Sequence, residues 1–74
     1  MVEISITNLV LAILAIDRDI KAREKALRDG LISEADEQEY GEYVLDLMKA
    51  LSELGGLYER ARQRDPKLSP IKFD

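Results

Sequence analysis

Between residues 34 and 46 the chain carries Glu34, Asp36, Glu37, Glu39, Glu42 and Asp46 with no Lys or Arg among them. On a helix, positions three apart share a face. Glu34 with Glu37, and Glu39 with Glu42, can therefore each present two carboxylates together. Paired carboxylates are ligands for a hard, oxygen-seeking cation such as magnesium. Little other chemistry is equipped, because the chain has no cysteine and no histidine. That composition excludes thiolate and imidazole metal sites, Ser–His and Cys–His nucleophilic pairs, and the Glu-x-x-His ligation of di-iron bundles.

A Glu-x-x-Glu pair is similar to the magnesium-holding pairs of all-helical nucleotide pyrophosphohydrolases. That resemblance implies, as the alternative reading, a small magnesium-dependent nucleotide hydrolase working from the acidic start of the second helix. Such a site needs several acidic pairs converging between helices. Here the acids fall largely outside the apolar seam, where carboxylates solubilise a face. The stretch "DGLIS" at 29–33 also fits no calcium loop: with Gly30 as the turn glycine, Lys25 and Leu27 stand where side-chain oxygens are required. The expectation is a protein that is not an enzyme and holds no metal or cofactor.

Two helices must position everything else. Ile6, Leu9, Ile13, Ile16, Ile20 and Leu27 are spaced by threes and fours, with Arg23 in the one missing seam position. This predicts an amphipathic helix over about 5–28, capped by Ser5 or Thr7. Gly30 suits the left-handed residue that ends a helix. Ser33 and Asp36 have capping-box spacing for the next one, and Leu31 and Ile32 are expected to tuck into the core at the corner. Tyr40, Val44, Leu47, Leu51, Leu54, Tyr58 and Ala61 then form an unbroken heptad seam over a helix of about 34–64, widened by Tyr43, Met48 and Leu57. Asp65–Pro66 stops that helix. Gly55–Gly56 inside it suggests close packing against the start of the first helix. Arg60, Arg62, Arg64 and Lys67 complement the helix dipole and form a solvated basic cluster. The tail, 65–74, has two prolines and no helical period. It is expected to be extended or disordered, with Leu68, Ile71 and Phe73 available to dock.

The short connection makes the helices antiparallel neighbours. The expected fold is all-α: a two-helix hairpin of residues 1–64, dimerising into a four-helix bundle, with a C-terminal tail. Association is expected because residues 9–16, "LVLAILAI", are apolar at every position in a chain that is 35% charged. A helix apolar all round is buried on more than one side, and a lone hairpin offers it one side. With 74 residues and no disulfide, a second chain is also the simplest source of stability. Ile4, Leu11, Leu14, Tyr43 and Phe73 are the candidate residues for self-association or partner binding. The expected partners are a second copy and an unidentified protein.

A net charge of −4 argues against nucleic acid. The apolar run is far shorter than the roughly 20 residues a membrane span needs. The polar face beside it also lacks the Lys and Arg enrichment that membrane-surface helices use. The first eight residues contain Glu3 and no Lys or Arg, so no secretory leader is expected and a cytoplasmic location follows. The functional expectation is a small interaction module: an adaptor or an inhibitor that occludes another protein, a role frequent among phage and mobile-element products. A structural assembly subunit is a further alternative.

Overall fold

The computed structural model describes residues 5–73, and its two α-helices, α1 (Ile6–Arg28) and α2 (Glu34–Arg64), pack against each other as an antiparallel hairpin. Ser5 is the cap of α1, its hydroxyl accepting from the Asn8 backbone N–H at 3.1 Å. α1 ends in a Schellman motif: Leu31 N donates to the Ala26 carbonyl at 3.0 Å and Gly30 N to that of Leu27 at 3.3 Å. Gly30 sits at φ 70°, the left-handed conformation in which a side chain would be strained.

The corner corrects two expectations. Leu31 is 73% exposed; the Schellman bond fixes its backbone while its side chain points away from the core. Ser33 begins α2 without a side-chain cap. Its hydroxyl donates to Asp36 Oδ2 at 2.9 Å instead of accepting from the Asp36 N–H. That N–H goes to the Ser33 carbonyl at 3.0 Å, so the hydroxyl is not needed as its acceptor.

α2 runs unbroken through Gly55 and Gly56. A Cβ built on either glycine meets nothing within 4 Å. The close approach to α1 inferred from these residues is therefore absent among the described residues. The helix survives them because its seam, not its local propensity, holds it.

Thirty-one residues at about 1.5 Å each give α2 the length of the molecule's 46 Å long axis; the short axis is 15 Å. The hairpin is thus one helix layer with the tail laid against it. Among the described residues the buried side chains are Leu9, Ile13, Ile20, Val44 and Tyr58. Leu9, Ile13 and Tyr58 form a cluster joined by Val10, Leu51 and Leu54, and by Leu68 and Ile71 from beyond α2.

A turn at Asp65 reverses the chain. Its carboxylate accepts from Lys67 N at 3.1 Å and its carbonyl from Leu68 N at 3.1 Å. Leu68 and Ile71 then lie on the cluster. The Tyr58 hydroxyl donates to the Ser69 carbonyl at 2.5 Å, and Arg62 Nε to the Leu68 carbonyl at 3.3 Å.

Candidate association surfaces

The acidic residues at the start of α2 are spread over an exposed face. Among the described residues no group of three or more acidic side chains is arranged to hold a metal ion. Glu34, Asp36, Glu37, Glu39, Glu42 and Asp46 are all exposed. Asp36 accepts from Ser33, and Glu42 accepts from Gln38 at 3.4 Å. This is the geometry of a solvated face. No helix among the described residues is long and apolar enough to cross a membrane.

The residues singled out for association separate into several places. Leu11 is 59% exposed, in the middle of the apolar run, and Leu14 is half-buried one turn on. Tyr43 is 44% exposed on α2 and Phe73 49% exposed at the end of the tail. Ile4 lies outside the described residues. Phe73 borders a shallow cleft with Ile13, Leu51, Gly55, Pro70 and Ile71. It therefore continues the core outward and stays apart from Leu11.

Leu45, 58% exposed, stands in solvent and was not legible in the seam pattern; Met48 and Leu57, expected to widen the seam, are 40% and 42% exposed. Leu45 follows the buried Val44, and at 100° per residue it falls well behind the face that Val44 buries. An exposed leucine in so charged a helix is the signal that marks it.

Tyr43 is held rather than free-standing. The Arg23 guanidinium lies 4.3 Å from the centroid of the Tyr43 ring and 5.2 Å from that of Tyr40. Arg23 Nε donates to Asp19 Oδ1 at 2.9 Å. The gap in the α1 seam is thus filled by a cation over two aromatic faces. A shallow depression lined by Arg23, Leu31, Ile32, Asp36, Tyr40 and Tyr43 opens beside it.

Arg62, expected to be solvated, is half-buried and engaged on two sides. One of its terminal nitrogens contacts both Glu59 oxygens, at 2.9 and 3.0 Å, while its Nε holds the Leu68 carbonyl. It is a staple for the tail. The chain matches no family model, no curated protein and no solved structure.

Proposed function

We propose that this chain is a non-catalytic, cytoplasmic protein–protein interaction module that works as a homodimer, an adaptor or inhibitor that covers part of another protein. The observation supporting this reading is the apolar surface left after the hairpin and tail have packed: Leu11, Tyr43, Leu45, Met48 and Phe73 remain exposed on a chain with so thin a core. Scattered single apolar residues are ordinary on a protein surface. Here they stand on both sides of one helix layer, which suits a molecule with something against each side. Two copies closing on a self-complementary face is the commonest oligomer and gives the hairpin a second layer.

Light scattering over a wide concentration range tests it. A constant dimer mass is expected. Replacing Leu11 and Leu14 together by Glu is expected to shift that mass to monomer at the same concentrations. A wild-type monomer throughout the range overturns the homodimer.

A further inference from the structure

α2 carries three pairs of opposite charges that stand about equally far before and after Leu51, while Asp46 on the same side mirrors onto the uncharged Gly56. Glu42 stands nine residues before Leu51 and Arg60 nine after. Lys49 and Glu53 stand two before and two after, and Glu39 and Arg64 twelve before and thirteen after. All six side chains are exposed, and none forms an ion pair with another described residue. Eighteen residues make five full helical turns, so Glu42 and Arg60 project in the same direction from opposite halves of α2.

Beside this charged stripe Tyr43, Ala50 and Leu57 recur at seven-residue intervals, the first and last exposed and Ala50 half-buried. Helical geometry puts that flank across the seam from Glu59 and Arg62, where the tail is held. The tail therefore leaves it open. A second feature is centred at the same level. Ile13 packs with Leu51, and Ile13 lies at the middle of the all-apolar run, residues 9–16.

From these two coincident centres we infer that the partner of this face is a second copy, related by a two-fold axis perpendicular to the helices at the level of Leu51 and Ile13. The inference rests on the homodimer reading above and gives it an arrangement. α2 meets its copy antiparallel, setting Glu39 against Arg64, Glu42 against Arg60 and Lys49 against Glu53, each pair formed twice. A parallel arrangement would set the acidic half against itself, at a cost. Under the same axis the α1 helices lie side by side over residues 6–20, and the charged stretch from Lys21 onward falls outside that overlap. Leu45 and Phe73 stay outside the contact as well.

Charge reversal is the test, read as the dimer dissociation constant from sedimentation or light scattering at low salt. Circular dichroism checks that helix content is kept. Glu39→Arg with Glu42→Arg is expected to weaken the dimer about tenfold, since four attractive pairs become repulsive and exposed pairs are individually weak. Adding Arg60→Glu and Arg64→Glu restores the wild-type net charge and the pairing. Affinity is expected to return to within about threefold. Arg60→Glu with Arg64→Glu alone should weaken the dimer as the first variant does. A wild-type dimer that none of these variants weakens, or a fourfold variant that fails to recover, overturns the arrangement and leaves the homodimer standing. A wild-type monomer overturns both.

Discussion

The two ends of the hairpin solve the same packing problem differently. At the turn end, α1 and α2 have only each other: Ile20 and Val44 are buried, and Arg23 covers Tyr40 and Tyr43 at the margin. At the open end a third segment arrives, and Leu9, Ile13 and Tyr58 are enclosed by both helices and by Leu68 and Ile71. Two helices in contact bury one stripe each. A cation over aromatic rings can close the rim of that contact, but only additional apolar chain can deepen it. The most buried side chain, Ile13 at 1% exposure, is accordingly at the end where the tail lies.

Removing the same atoms at each end tests this difference most strongly. Ile13→Ala is expected to cost about 3 kcal/mol and Ile20→Ala about 2 kcal/mol, within the range for buried Ile→Ala changes. The larger loss belongs where neighbours on several sides cannot all collapse into the cavity. At the turn end the helices have a free face and can close up. Urea denaturation of both variants measures it, and equal losses would erase the distinction between the ends.

The next effect isolates the third segment itself. Leu68→Ala with Ile71→Ala is expected to cost about 2 kcal/mol, because both side chains are half-buried and lose only part of a full burial term. The helical circular dichroism of the folded state should be unchanged, since neither residue belongs to a helix. A loss below about 0.5 kcal/mol, the scale of an ordinary surface change, would mean that the tail adds nothing to the core.

These two ends also mark how far the sequence could be read. Alternating gaps of three and four residues sufficed for both helices and for the antiparallel seam, because a helix repeats its own geometry in its side chains. Gly30 was legible for a comparable local reason: one backbone angle demanded it. The tail's grip was not, since the acceptors of Tyr58 and Arg62 are the carbonyls of Ser69 and Leu68. Every residue owns a carbonyl, so no side-chain pattern announces which one is used. Leu31 failed for the opposite reason: its apolar type suggested burial, while the backbone bonds ending α1 dictated its direction. Of the exposed apolar side chains, Leu11 and Tyr43 were readable as positions off the seams and Phe73 as an apolar residue of the tail. Leu45 was not, because attention to the seam hides what stands behind it.

The smallest expected effect concerns the rim of the turn end. Arg23 occupies a seam position where an apolar residue would continue the helix contact, and Arg23→Met tests what the charge adds there. Methionine keeps much of the aliphatic stem and makes its own favourable contact with aromatic rings. The variant therefore loses the guanidinium over Tyr43 and the pair with Asp19, and retains much of the packing. Cation–π contacts at exposed sites contribute about 0.5–1 kcal/mol, and exposed ion pairs contribute less than about 1 kcal/mol. With Asp19 and Tyr43 both reachable by water, a small net loss, less than that of the tail variant, is expected in chemical denaturation. A gain in stability would show that the seam prefers an apolar residue. The arginine would then stand there for some purpose other than stability, and the turn end would be weaker than the open end by choice of residue as well as by lack of a third segment.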